Sequence, residues 1–357
     1  YIPTLLQAFD HPKRPVMFPY AWALVLWLWT TAGKACAHSF GPVIGVLAQP
    51  LDSKVAGSYI EAWYVKWLEA QGARVVPLRY DAPAAEIDAQ LQRINAVLFP
   101  GGGAGISEEG SEYGRFGASV FRAAWRARMP LWGTCLGFEQ LLLYSSGRPF
   151  PGPLSRGYDA MELFLPLNMT KEAASSSLLA DWPAALRNSL SESPWTFHMH
   201  QRGVSLGVFE EVAVLENSWH VLATNRDRQG KEFVSLVQAR NDLPFFASQF
   251  HPEKNAYEFE VPKGASIGGT LPVHSARAIE AMGRFAATFV DRSRSFRNFS
   301  FTEDEFWRWS ISSWSATLAG TTLGMEWLPR HMQVFYFPPW NETAPGSDPV
   351  PMSSVLV

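Results

Sequence analysis

The sequence predicts an α/β fold: a mostly parallel central sheet flanked by helices, in a three-layer sandwich. Two patterns carry that expectation. From about residue 41, short apolar runs alternate with amphipathic helical stretches, as in successive βαβ units. Within that frame a Gly-Thr-Cys-Leu-Gly turn at 133–137 joins a buried run to a helical one, and a Phe-Pro-Gly-Gly-Gly loop at 99–103 follows another apolar run. With 357 residues, 47% of them apolar, the chain can bury a full core.

Strands are expected at Pro42–Ala48, Arg74–Leu78, Ala96–Phe99 and Pro130–Gly133. Between them, apolar residues at helical spacing predict helices over Tyr59–Gln71, Ala84–Ile94 and Gly117–Arg128. Leu136–Tyr144 continues as a helix after the cysteine turn, and Arg148–Ser193 is Pro/Gly/Ser-rich and reads as looser chain. Phe209–Leu215, Phe233–Gln238 and Phe245–Gln249 read as strands, and Val273–Asp291 as a long helix. These limits place a catalytic domain at 38–296 and a Trp-rich C-terminal extension, part packed and part disordered, at 297–357.

A formal net charge of -3 and the lack of any Lys/Arg run argue against a nucleic-acid partner. Lys13 and Arg14 precede the apolar run Ala21–Trp29 and then Ala35-Cys36-Ala37, the order of a secretory signal peptide over 1–37. Met17 is the expected start, with 1–16 lying upstream of it. The apolar run is too short for a comfortable membrane span. Cleavage after Ala37 removes Cys36 and leaves Cys135 as a lone thiol, which points to reactivity rather than a structural disulfide. Sequons at Asn168, Asn298 and Asn341 agree with a glycosylating pathway and an extracellular, lysosomal or vacuolar destination.

Glycines around Cys135 permit a sharp strand-to-helix turn, exposing the thiol at a helix N-terminus. There the helix dipole is expected to lower the thiol pKa, and the Leu136 amide can face an oxyanion. Gln249-Phe250-His251-Pro252-Glu253 ends a strand on a histidine with a carboxylate two residues later, on one face of an extended segment. A histidine serving a cysteine needs such an orienting group. The loop at Gly101-Gly102-Gly103 lacks the Lys and Ser/Thr of a phosphate loop, so its better use is a second oxyanion amide from Gly102 or Gly103. No His/Cys/Asp cluster has metal-ligand spacing, and no cofactor is implied.

Phe-Pro-Gly-Gly, Trp132-Gly133-Thr134-Cys135-Leu136-Gly137-Phe138-Glu139 and Gln249-Phe250-His251-Pro252-Glu253-Lys254 together resemble the γ-glutamyl hydrolase family, a branch of the class I glutamine amidotransferase-like, flavodoxin-like fold. Residues 72–79, 166–170 and 257–258 agree, so the resemblance spans about 41–295. It implies Cys135 as nucleophile, His251 as general base and acid, Glu253 orienting it, and a second histidine beside the substrate at His200, with His198 the alternative. It also implies folyl and antifolyl poly-γ-glutamates as substrates, with Glu139 supporting the site. Which charged groups hold the substrate is not written in the motifs; Arg79, Arg202 and the backbone of Gly103 are candidates. Arg202 is itself a departure, standing where the family carries a hydrophobic or aromatic residue. Rival readings are an ammonia-supplying glutaminase and an inactive secreted binding protein of the same fold. No sequence feature opposes a homodimer.

Overall fold

The computed structural model describes residues 41–51, 56–259, 273–296, 301–319 and 332–342. The signal-peptide expectation, Cys36 and the Asn298 sequon lie outside them. Among the described residues, the helices in chain order begin with α1 (Ala62–Glu69), α2 (Ala84–Leu91), α3 (Glu112–Ala127), α4 (Leu136–Ser146), α5 (Ala184–Glu192), α6 (Leu206–Glu211) and α7 (Ala213–Ser218). After them come α8 (Lys254–Tyr257), α9 (Ala276–Arg294) and α10 (Glu303–Trp309).

The sheet is built on β1 (Val43–Pro50), whose residues are buried along almost their whole length, as a central parallel strand requires. Later strands are β2 (Ser58–Glu61), β3 (Arg74–Arg79), β4 (Ala96–Phe99), β5 (Leu131–Thr134), β6 (Ser155–Leu165), β7 (Asn168–Met169) and β8 (Thr196–Gly203). The chain adds β9 (Trp219–Arg226), β10 (Glu232–Ala239), β11 (Phe245–Ser248), β12 (Ala316–Leu318) and β13 (Gln333–Phe337). β3, β1, β4, β5 and β11 run parallel in that order, and β10, β9 and β7 extend the sheet antiparallel. Helices cover both faces, each with its own apolar core.

Several expectations are corrected. The helix expected from Tyr59 begins at Ala62, because Ser58–Glu61 pair with β1 and with β13 as an edge strand. Phe209–Leu215 is not a strand: Phe209, Val212 and Leu215 are buried at three-residue spacing, a helical face, and Ser205 caps the first turn by accepting from the Val208 amide at 3.2 Å. The region expected to be loose holds the eleven-residue β6 and α5; bulges in the β6–β8 pairing break its two-residue period. β8 gives no apolar alternation to read, because one of its faces carries Thr196, His198, His200 and Arg202, the last of them paired with Glu139 beside the thiol. Within the C-terminal extension, β12 and β13 join the sheet through β2.

Candidate active site

Register brings the catalytic motifs together. Ser248 on β11 pairs with Thr134 on β5, so Cys135 and His251 leave the C-terminal edge of neighbouring parallel strands. Cys135 has φ 51 and ψ −102, a strained conformation for a non-glycine residue, fixed by its own amide donating to the Ser248 carbonyl at 2.8 Å. His251 Nδ1 donates to Glu253 Oε1 at 2.6 Å, which leaves Nε2 as the proton acceptor. Cys135, His251 and Glu253 are buried, at 6%, 5% and 0% exposure. The thiol donates weakly to the Met199 carbonyl at 3.8 Å.

Gly101 is the residue sequence reasoning missed in the glycine loop. A Cβ there would lie 2.7 Å from His251 Cε1, 2.7 Å from the Tyr64 hydroxyl and 3.2 Å from Cys135 Cβ. Its amide donates to Tyr64 at 2.8 Å, and its carbonyl accepts from Gln49 Nε2. Gln49 and Tyr64 were also missed, for they sit in an ordinary strand and helix. Both Gly102 and Gly103 are exposed, but at Gly102, with φ +151, a Cβ would collide with Gln49 Oε1, whereas a Cβ on Gly103 would have nothing within 4 Å.

The expected low thiol pKa is not what the structure gives. Burial pushes the Cys135 thiol up, Glu139 and Glu253 add to that, and the Leu136 amide only partly opposes them. A thiol pushed up in this way needs a nearby proton acceptor before its sulfur can attack, and the free Nε2 of His251 is the candidate.

Glu139 is buried at 3% exposure and ion-paired with Arg202, whose guanidinium also lies over the Phe150 ring at 5.7 Å. Burial raises Glu139 to about 7 against the opposing pull of Arg202. His200 donates from Nδ1 to the Arg202 carbonyl at 2.9 Å, and its Nε2 has no partner among the described residues. His198 is fully enclosed beside Phe233 and Phe250, its Nε2 3.1 Å from the Thr196 hydroxyl. Arg79 is not available in the same way: it pairs with Asp81 at 2.7 Å, donates to the Pro338 carbonyl and lies over Trp340. Asn168 and Asn341 are exposed. Among the described residues there is no metal-ligating group of three or more, and no helix long and apolar enough to cross a membrane.

Behind the triad, Lys254 pairs with Glu258 and lies 4.6 Å from the Trp63 ring. Burial raises the neighbouring Glu61 to about 8, Lys254 opposing and Glu253 and Glu258 adding. This cluster places a buried cation next to the carboxylate paired with His251, and the same charge pulls down on the Cys135 thiol, against the larger upward push of burial.

Matched against known proteins, residues 56–261 fit the glutamine amidotransferase class-I family model. The chain is 36% identical over 262 residues to the γ-glutamyl hydrolase of Mus musculus, covering 71% of this chain and 78% of that protein. The chain belongs to the γ-glutamyl hydrolase family. Another relative, γ-glutamyl hydrolase B of Dictyostelium discoideum, is 33% identical over 273 residues, covering 74% of this chain and 75% of its own. Among solved structures, the Trypanosoma brucei CTPS glutaminase domain with bound acivicin superposes with TM-score 0.47 at 15% identity, over 72% of this chain and 95% of that one. For this γ-glutamyl hydrolase family member, the sheet order described above carries the fold by itself.

Opposed titrations predict where this fold is most stable. Glu139 and Glu61 hold their protons to about 7 and about 8, above the ordinary 4.5, so the stability they contribute is full below 4.5 and lost as pH rises through those values. His200, lowered by burial from 6.5 to about 4, and His198, lowered well below 6.5 by its own burial, contribute stability present above 6.5 and lost as pH falls. Between 4.5 and 6.5 these slopes oppose, and above 6.5 the carboxyls act alone. Thermal melts across pH are expected to show a plateau in the mildly acidic range and a decline toward pH 8, given the upper value of about 8 for Glu61. Glu61→Gln should flatten that decline; an unchanged slope in the variant would contradict the assignment.

Proposed function

We propose that this chain hydrolyses γ-glutamyl bonds of folyl and antifolyl poly-γ-glutamates through a thioester on Cys135. The observation that carries the reading is the buried Cys135, His251 and Glu253 set on adjacent parallel strands, with the Glu139–Arg202 pair beside the thiol. His251 Nε2 takes the thiol proton as sulfur attacks the γ-carbonyl, and the Leu136 and Gly102 amides hold the oxyanion. The imidazolium, stabilised by Glu253, protonates the leaving amine as the C–N bond breaks. Water, deprotonated by His251, then attacks the thioester and the thiol is regenerated. Each histidine has a ring nitrogen without a partner among the described residues, so the choice of His200 as the substrate-facing one rests on its exposure, 4% against 0% for His198, and on its hydrogen bond to the backbone of Arg202.

Bond selectivity follows from fixed geometry. Arg202 is suited to an α-carboxylate, and an α-linked peptide cannot keep that group in place while presenting its scissile carbonyl to Cys135. Incubation with γ-Glu-Glu, α-Glu-Glu and free glutamine, read by mass spectrometry, is expected to show cleavage of the first, none of the second and slow turnover of the third. Preference for glutamine would favour the glutaminase reading, which the class-I family match keeps in view. Inertness toward all three would favour a binding protein. We further place the protein in the secretory pathway, in an extracellular, lysosomal or vacuolar space. The exposed Asn168 of the Asn-Met-Thr sequon supports that placement.

A further inference from the structure

The β6–β8 ribbon carries a row of cations that begins beside the thiol and leads away from it. Arg202, paired with Glu139, is the first. Arg156 on β6 stands directly opposite Arg202 in the antiparallel register, so the two side chains share a face, and it is the face that also carries His200. The positive charge of Arg156 is felt at the Glu139 carboxyl, which places it on the site's side of the ribbon. Lys231 continues the row, its Nζ 2.9 Å from the Arg156 carbonyl and 3.9 Å above the Tyr158 ring, and Tyr158 in turn packs on His200 at 6.2 Å.

The nearby acids are already engaged. Glu139 is held by Arg202, and Asp227 accepts from the amides of Asp159, Gln229 and Lys231. Asp159 pairs with Arg228 at 3.0 Å. Arg156 is exposed and pairs with no carboxylate among the described residues. The second sign of a ligand on this face is the partnerless Nε2 of His200, a residue only 4% exposed.

We propose that Arg156, with Lys231 behind it, forms a subsite for the successive α-carboxylates of a γ-linked glutamate chain, and so makes the enzyme select long chains over short ones. The proposal rests on the γ-glutamyl reading above. A γ-linked chain bears one free carboxylate on every residue. Directly opposed residues on an antiparallel pair lie about 5 Å apart at Cβ, a spacing from which two guanidinium forks can meet consecutive carboxylates. Because Arg156 is exposed, its contribution is screened by salt and acts on binding rather than on chemistry.

The test compares the full chain with its Arg156→Gln variant on γ-Glu-Glu and on a γ-linked hexaglutamate. KM for the hexaglutamate is expected to rise about fivefold, the scale of one exposed charge pair, with kcat unchanged and both constants for the dipeptide unchanged. Arg156→Lys should restore most of the loss, and Lys231→Gln should move KM in the same direction by less. Raising salt should erase the wild-type preference for the longer chain and leave the variant unaffected. Equal changes on both substrates, or none on either, would overturn the subsite while leaving the γ-glutamyl reading intact. A wild-type protein that cleaves neither γ-linked substrate would overturn that reading and the subsite with it.

Discussion

Cys135→Ala is expected to lower γ-Glu-Glu hydrolysis by about 10⁴- to 10⁶-fold, the range seen when a covalent nucleophile is removed. His251→Ala should fall close to it. Burial pushes the Cys135 thiol up, with Glu139 and Glu253 adding to it, so attack by sulfur depends on a proton acceptor at His251. The two residues act as one unit, and the double variant should be no slower than Cys135→Ala alone. Steady-state rates for the two single variants and the double decide the point. A Cys135→Ala protein of ordinary activity, or a double variant slower by the product of the single losses, would contradict the shared role.

Gly101→Ala is expected to cost about 10²-fold in kcat/KM, while Gly103→Ala stays within about twofold. The added Cβ at 101 would sit 2.7 Å from His251 Cε1 and 3.2 Å from Cys135 Cβ, so the two catalytic side chains have to move apart. Nothing lies within 4 Å of the same atom at 103. Kinetics on the two variants, with thermal melts to show that each is folded, would test this. Equal behaviour would mean that the loop does not set the spacing of the pair.

The parallel strands were legible because β1, β4 and β5 are short apolar runs closed by glycine or proline turns, whereas their order in the sheet, with β1 between β3 and β4, came only from the pairing. Elements whose pattern is set by the site or by distant partners were not legible. β8 carries His198, His200 and Arg202 on one face, β6 is bulged, and β2 is a strand only because β1 and β13 flank it. Phe209, Val212 and Leu215 misled as a strand because the segment is too short for its helical period to stand out.

Cys135, His251 and Glu253 stand out as candidates in the sequence, because a cysteine on a glycine-flanked strand-to-helix turn, and a histidine two residues from a carboxylate, are local arrangements written in adjacent residues. What surrounds them is written nowhere locally. Gln49 reaches Gly101 across 52 residues, and Arg202 reaches Glu139 across 63, so that Arg202 and Glu139, each visible singly, become a pair only when β8 and α4 are folded together. The protonation of the thiol was likewise decided by tertiary structure. The helix N-terminus visible in the sequence favours the thiolate, but desolvation by the assembled core and the two carboxylates it brings near outweigh that dipole, and neither exists until the chain is folded.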